Sequence, residues 1–221
     1  MAATDENIGK TFANKYLVEQ MIGEGGMGKV YKANQIALDK PVVLKVLRPA
    51  LLSDERTVAR FQREAKAASR LNHPNSISVL DFGQAADGAM YIAMEYVQGK
   101  DLHHILSREW PLPEARVIRV MSQVLSALAD AHSASVIHRD LKPENIMVEQ
   151  RRGEADFVKV LDFGIAKIVD GSNDDGPSLT RAGFVCGTPE YMSPEQARGA
   201  QLDHRSELYA VGVILCQVTS G

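Results

Sequence analysis

The stretch Ile22–Gln35, IGEGGMGKVYKANQ, decides the fold class. Its Gly23-x-Gly25-x-x-Gly28 spacing is shared by two unrelated ways of holding phosphate. In a dinucleotide-binding fold a helix starts at the glycines, so that its N-terminal amides meet the pyrophosphate. Here Gly28 is followed by Lys29, Val30 and Tyr31, a β-branched and aromatic run that reads as a strand. The preceding KYLVEQMI, Lys15–Ile22, is equally strand-like. The segment is therefore predicted to be a β-turn-β flap, with Ile22, Gly23, Glu24, Gly25, Gly26, Met27, Gly28 and Val30 around its tip. A glycine-rich hairpin without a ligand is the alternative reading of this stretch alone.

The pattern outward from the flap is strands first and helices later. KPVVLKVLR, Lys40–Arg48, reads as a third strand, and the apolar neighbours of Lys45 make its ammonium costly to bury without an anionic partner. SDERTVARFQREAKAASRLN, Ser53–Asn72, reads as a helix with Ser53 as N-cap and Val58, Phe61, Ala65, Ala68 and Leu71 at helical steps. Glu64 lies within it, and Pro74 ends it. SISVLDFGQAADGAMYIAMEYV, Ser76–Val97, reads as a hairpin around AADG, with Leu80 in the core and Asp81 at the surface. LPEARVIRVMSQVLSALADAH, Leu112–His132, reads as a helix with Val117, Ile118, Met121, Leu125 and Leu128 on its apolar face. The expected organisation is an N-terminal extension over 1–15, a strand-rich lobe over 16–94, a connector over 95–101 with Gly99 as its flexible point, and a helical lobe over 102–221.

Composition narrows the function classes. A net charge of −3 and a pI near 6.1 provide no field that would attract nucleic acid or an anionic membrane. The longest apolar stretch, Leu208–Cys216, is far short of a membrane span, so a cytoplasmic chain is expected. Cys186 and Cys216 have neither metal-ligand spacing nor a disulfide framework and read as small buried or half-buried thiols.

The chemistry concentrates in VIHRDLKPENIMV, Val136–Val148, where His138, Arg139, Asp140, Lys142 and Asn145 sit between apolar flanks. Polar groups in such a setting need partners. Asp140 suits proton acceptance from a hydroxyl, Lys142 suits a phosphoryl group in transfer, and Asn145 offers a carbonyl to a hard cation. Further on, Asp162 in a second copy of VLDFG supplies a carboxylate for the same cation. Flap, lysine, aspartate, asparagine and aspartate in this order read as a phosphoryl-transfer site.

Taken together, the glycine-rich loop, Lys45 in VVLK, Glu64, HRDLKPEN, DFG and GTPEYMSPE resemble a protein Ser/Thr kinase catalytic domain of the bacterial eukaryotic-like branch, from about Tyr16 to Gly221. The resemblance implies an α+β, two-lobed kinase fold with a β-rich N-lobe, one main helix there, and a helical C-lobe lacking its last helices. It implies ATP and Mg2+ as cofactors and proteins as substrates. By the same resemblance Asp140 is the catalytic base, Lys142 a phosphate contact, and Asn145 and Asp162 the metal ligands. Lys45 and Glu64 pair over the phosphates. Val43 and Met147 line the adenine, Met94 is the gatekeeper, Glu95 and Val97 form the hinge, and Asp101 contacts ribose. The segment between DFG and MSPE, with little to bury, resembles an activation loop in which Thr180 and then Ser178 are phosphosite candidates, with Arg139 to receive the phosphate. Its DGSNDDG lacks the glycine position and closing glutamate of a calcium loop. Thr188 and Glu195 belong to the substrate platform. The first VLDFG, Val79–Gly83, is expected to be a decoy.

This chain departs from the family pattern in three places. Val43 stands where alanine is usual, and Glu207 stands where an aspartate braces the HRD backbone, an exchange expected to loosen that brace. The family continues beyond the equivalent of Gly221, so Glu195 is expected to lack its partner and apolar surface around Leu208–Val218 to stay exposed, favouring a homodimer. Two functions therefore compete: an active Ser/Thr kinase, and a non-catalytic kinase-like nucleotide-binding or interaction module. A small-molecule kinase fits worse, because it would not need the GTPEYMSPE platform.

Overall fold

A computed structural model describes residues 5–25, 28–47, 52–53, 58–59, 62, 65–66, 68–85, 87–151, 153–163 and 189–220. The chain divides into two compact units. One comprises Met1–Ser69 and Ser78–Tyr96, the other Arg70–Ile77 and Val97–Gly221.

The first unit is built on an antiparallel sheet of β1 (Thr11–Phe12), β2 (Tyr16–Gly25), β3 (Gly28–Gln35), β4 (Lys40–Leu47), β5 (Val79–Gln84) and β6 (Met90–Glu95), in the order β1-β2-β3-β4-β6-β5. Strand periodicity sorts the side chains onto two faces. One face carries the core: Tyr31 and Ala33 of β3, Val42, Leu44 and Val46 of β4, and Tyr91 and Ala93 of β6 pack with Phe12, Tyr16 and Val18. Tyr91 meets Phe12 and Tyr16 edge-on, with ring centroids 6.0 and 5.9 Å apart. The other face carries Val30, Val43, Lys45, Ile92 and Met94, aligned by the pairs Val30↔Lys45, Lys45↔Ile92 and Val43↔Met94. Residues 58, 59, 62, 65, 66 and 68 are helical, and Ala65 and Ala68 are buried as the sequence pattern required.

The first VLDFG lies in β5, and its side chains point the opposite way from the expectation. Leu80 is 51% exposed, whereas Asp81 accepts hydrogen bonds from Lys15 Nζ (2.8 Å), Tyr16 Oη (3.1 Å) and Tyr91 Oη (3.2 Å). The cause is a register shift between Val79 and Asp81, which face Met94 and Ala93 in turn, so that Leu80 is an extra residue and the alternation slips by one.

The second unit contains β7 (Gly99–Asp101), α1 (Leu102–Glu109), α2 (Glu114–Ser133), β8 (Ile146–Arg151), β9 (Glu154–Val160), α3 (Pro194–Ala197) and α4 (His204–Ser220). Its sheet runs β7-β8-β9. Gly99, expected as a flexible point, is fixed in β7, where a Cβ would collide with the Val148 carbonyl. The buried stripe of α2 is Val117, Val120, Met121, Val124, Ala127, Leu128 and Ala131. Ile118 and Leu125, expected on that face, are 60% and 40% exposed, because the stripe follows Val120 and Val124 instead. Full burial of one such side chain is worth about 1.5–3 kcal/mol, so the stripe rather than intrinsic propensity holds the helix. Gln123 ties α2 to β9: its Oε1 accepts from Val158 N at 3.0 Å and from Asn75 Nδ2 at 2.9 Å, while its Nε2 donates to the Asp156 carbonyl at 2.8 Å.

In α4 the buried positions are Ser206, Glu207, Ala210, Val211, Ile214 and Val218. Leu208, within the stretch expected to leave apolar surface uncovered, is 51% exposed, and Cys216 is exposed rather than buried or half-buried. Cys186 lies outside the described residues. Among the described residues no helix is long and apolar enough to cross a membrane.

Candidate active site

In the first unit, the β2–β3 pairing sets Gly23 opposite Val30, Glu24 opposite Lys29 and Gly25 opposite Gly28, which is the flap the sequence predicted. Gly28 has no room for a side chain, since a Cβ would fall on the Val46 carbonyl. Lys45, only 8% exposed, stands on the face shared by Val30, Val43 and Met94. Ile22 is 47% exposed. Glu95 is pinned at the end of β6, where its Oε1 accepts Ser78 N at 2.8 Å and its own amide donates to the Ser78 carbonyl. Gly26, Met27 and Glu64 lie outside the described residues.

In the second unit, the residues of HRDLKPEN converge on one loop between α2 and β8. Its frame is His138, a fully buried imidazole. His138 Nε2 lies 2.6 Å from the Leu161 carbonyl, which only accepts, so Nε2 carries the proton and Nδ1 accepts the Asp140 amide at 3.3 Å. The ring also packs against Phe163, with centroids 5.0 Å apart. A single histidine thus joins the loop to the second VLDFG.

On this frame Asp140 gathers its neighbours. Lys142 Nζ lies 3.2 Å from Asp140 Oδ2. Asn145 Nδ2 donates to the Asp140 carbonyl at 2.7 Å and reaches Oδ2 at 3.5 Å. Pro143–Asn145 forms a single 3-10 turn, and the Asn145 carbonyl then accepts Leu161 N at 2.8 Å, bringing Asn145 beside the residue that precedes Asp162. Arg139 (φ 69°) and Asp162 (φ 56°) both occupy the left-handed region. Such a conformation costs a non-glycine residue on the order of 1 kcal/mol or more and persists where the surroundings over-determine it.

At Arg139 the surroundings do so through Glu207. This carboxylate, 3% exposed, accepts the His138 amide and, at 3.0 Å, the Arg139 amide on Oε1, while Oε2 meets His132 Nε2. The expected loosening of the brace by the longer side chain is therefore corrected: Glu207 reaches both amides, and His132 occupies its second oxygen. Gln196 Nε2 adds a 2.7 Å bond to the Arg139 carbonyl. Glu195, expected to lack a partner, accepts Ser206 Oγ at 2.6 Å, and that bond holds its carboxyl below the usual range. Neither His132 nor Gln196 was singled out in the sequence. The only signal for His132 was a histidine at the end of an otherwise apolar stripe, and for Gln196 its place beside Glu195.

Asp101 caps α1, accepting His104 N on Oδ1 at 2.7 Å, and pairs with Met147 across β7–β8. Val97 is half-buried. Ser178, Thr180 and Thr188 lie outside the described residues.

Comparison with known proteins agrees with this arrangement. The protein kinase domain family matches residues 16–221. The chain is 81% identical over 218 residues to the serine/threonine-protein kinase pkn3 of Myxococcus xanthus, covering 99% of this chain and 40% of that protein. It is 39% identical over 214 residues to the serine/threonine-protein kinase PrkC of Bacillus subtilis, covering 97% of this chain and 32% of that one. It thus spans well under half the length of these curated relatives. Among solved structures, a crystal structure of the Mycobacterium tuberculosis PknI kinase domain superposes with a TM-score of 0.70 at 35% identity, covering 92% of this chain and 73% of that chain. The fold, the loop built around His138 and these likenesses converge: the chain belongs to the protein kinase family, among the bacterial serine/threonine kinases.

Proposed function

We propose that this chain is an ATP-dependent serine/threonine protein kinase domain, transferring the γ-phosphoryl group of ATP to Ser or Thr hydroxyls of protein substrates. The observation that carries the reading is the grouping of Asp140, Lys142 and Asn145 on a loop held by Glu207 and His138. Asp140 accepts the proton of the substrate hydroxyl as its oxygen bonds to the γ-phosphorus. The bond from that phosphorus to the bridging oxygen breaks, and its electron pair leaves with ADP. Lys142, 3.2 Å from Asp140, neutralises charge on the group in transfer.

The donor set fits Mg2+. Asn145 commits its Nδ2 to the Asp140 carbonyl, which leaves its Oδ1 to serve as a hard neutral ligand, and Asp162 supplies a carboxylate. Among the described residues no three His, Cys, Asp or Glu cluster as a self-sufficient metal site, in keeping with an ion that completes its shell with phosphate oxygens and water. Bound Mg2+ would neutralise charge on the phosphates. Lys45 with Glu64, and the flap residues Ile22–Gly28, are assigned to the phosphates. Val30, Val43, Met94, Glu95, Val97 and Met147 are assigned to the adenine. Asp101 uses Oδ1 for its cap, which leaves Oδ2 as an acceptor for a ribose hydroxyl.

Regulation through the activation segment has its own support. Arg139 Nε is buried with no hydrogen-bond partner among the described residues, a donor suited to a phosphate on Thr180 or Ser178. The test is incubation with magnesium ATP, followed by intact mass and phosphopeptide mapping. Phosphate is expected on Ser and Thr, lost in Asp140→Asn while nucleotide binding persists. No phosphate on any protein, with ATP bound normally, would refute the reading.

A further inference from the structure

The family match begins at residue 16, yet the described residues ahead of it are built into the nucleotide-binding unit. Asp5 opens a turn in which its Oδ1 accepts Asn7 N at 3.0 Å and its carbonyl accepts Ile8 N at 3.1 Å. The chain then joins the sheet: Gly9 N donates to the Val18 carbonyl and Val18 N to the Lys10 carbonyl, and β1 continues that pairing along β2. The far end of this segment reaches two strands over. Lys29 Nζ sits 2.6 Å from Asp5 Oδ2, Tyr31 Oη donates to Asp5 Oδ1 at 3.1 Å, and Asn7 Nδ2 donates to Tyr31 Oη at 2.9 Å. The Asp5 side chain is only 7% exposed.

These contacts bear on the flap because of where Lys29 and Tyr31 lie. Lys29 follows Gly28 and pairs with Glu24, so it is the first side chain on the return strand of the glycine-rich hairpin. With strand alternation, Lys29 and Tyr31 share one face of β3 and Val30 takes the other. Asp5 therefore grips the hairpin from the face opposite the one assigned to adenine. It also fixes the Lys29 ammonium on that outer face. The two charged groups shift as an ion pair does: hydrogen bonding from Lys29 holds the Asp5 carboxyl below its usual range, and the same bond raises Lys29.

We propose that residues 5–10 form a strap across the outer face of the glycine-rich hairpin, with Asp5 as a positioning residue that fixes the start of β3 and so sets nucleotide affinity. The proposal rests on the kinase reading above. A hairpin whose return strand is tethered loses less freedom when it closes on phosphates, so the strap lowers the ordering cost of binding. The effect belongs in affinity for ATP rather than in the chemical step, because the side-chain hydrogen bonds of Asp5 among the described residues go to its own turn and to β3.

The test uses the whole chain, with Kd for magnesium ATP by calorimetry, KM and kcat by phosphate transfer, and hydrogen exchange over Gly28–Ala33. Asp5→Ala is expected to weaken ATP binding about threefold to tenfold with kcat changed less than about twofold, and to speed exchange in Gly28–Ala33. Asp5→Glu, which keeps the carboxylate, is expected to recover most of the affinity. Lys29→Ala in the Asp5→Ala background should add little, since the two act through one contact. Equal ATP affinity and equal exchange in Asp5→Ala would overturn the strap, as would a loss confined to kcat. A chain that binds no magnesium ATP before any substitution would instead sink the kinase reading, so the two failures are separable.

Discussion

The chain spells VLDFG twice, and the two copies show how little of a motif's meaning lies in its letters. At Val79–Gly83 the word lies in β5, where Asp81 accepts from Lys15, Tyr16 and Tyr91 and holds the sheet's edge to its aromatic core. At Val160–Phe163 it starts on the last residue of β9, where the Leu161 carbonyl takes the His138 ring, Phe163 is 1% exposed against that ring, and half-buried Asp162, at a positive φ, follows a residue bonded to Asn145. An aspartate with three donors around it is a structural group. The second aspartate is the one proposed above as a metal ligand, and its left-handed backbone is the kind of local cost that accompanies functional positions.

The largest expected difference between the copies is in turnover. Asp162→Ala should reduce phosphate transfer by about a thousandfold or more and weaken magnesium-dependent ATP binding, whereas Asp81→Ala should leave kcat within about twofold. A steady-state comparison of the two purified variants decides this, and an inactive Asp81→Ala with an active Asp162→Ala would invert the assignment. Next in size is the phenylalanine. Phe163→Ala empties a fully buried site and is expected to cost about 3–5 kcal/mol, while Phe82→Ala, half-buried in β5, should cost about half as much. Urea denaturation of both, with the midpoint shift compared at equal slope, checks the ratio.

Smaller again is the stability lost in Asp81→Ala, about 1–3 kcal/mol, because two tyrosine hydroxyls and an ammonium lose their common acceptor. Burial works against the charged form of Asp81, but hydrogen bonds from Lys15 and Tyr16 outweigh it and hold the carboxyl below its usual range. A depressed folded pKa means that the stabilisation is present above the unfolded value and fades as pH falls through the folded one. The melting temperatures of the parent and Asp81→Ala should therefore converge below about pH 4. The smallest effect is expected for Lys15→Ala. The Lys15 side chain is 56% exposed, so its pair with Asp81 should contribute under about 1 kcal/mol and weaken in high salt.

What the sequence made legible followed from local rules. Val30 and Tyr31 after Gly28 exclude a helix, and the order of Lys45, Asp140, Asn145 and Asp162 is visible without coordinates. The errors came where a single residue changes the phase of a pattern. The extra residue at Leu80 reversed the faces of β5, and no alternation rule signals a bulge. In α2, Ile118 and Leu125 are as apolar as Val120 and Val124, and only packing on β9 chooses between the two stripes. The brace was misjudged for a different reason. Whether a glutamate can replace an aspartate depends on the depth of its pocket and on what meets the second oxygen, and both are set by long-range contacts of α4 with His132, His138 and Arg139.

That brace has a consequence for how the chain can vary over generations. Positions 132 and 207 share one carboxylate, which also holds two loop amides. Shortening the side chain at 207 would withdraw it from the histidine or from the amides, and replacing the histidine would leave a buried oxygen without its donor. Each change alone is damaging, so the two positions form a unit of inheritance. Aligned descendants of this chain should exchange them together, and a lineage that keeps glutamate at 207 should keep a donor at 132.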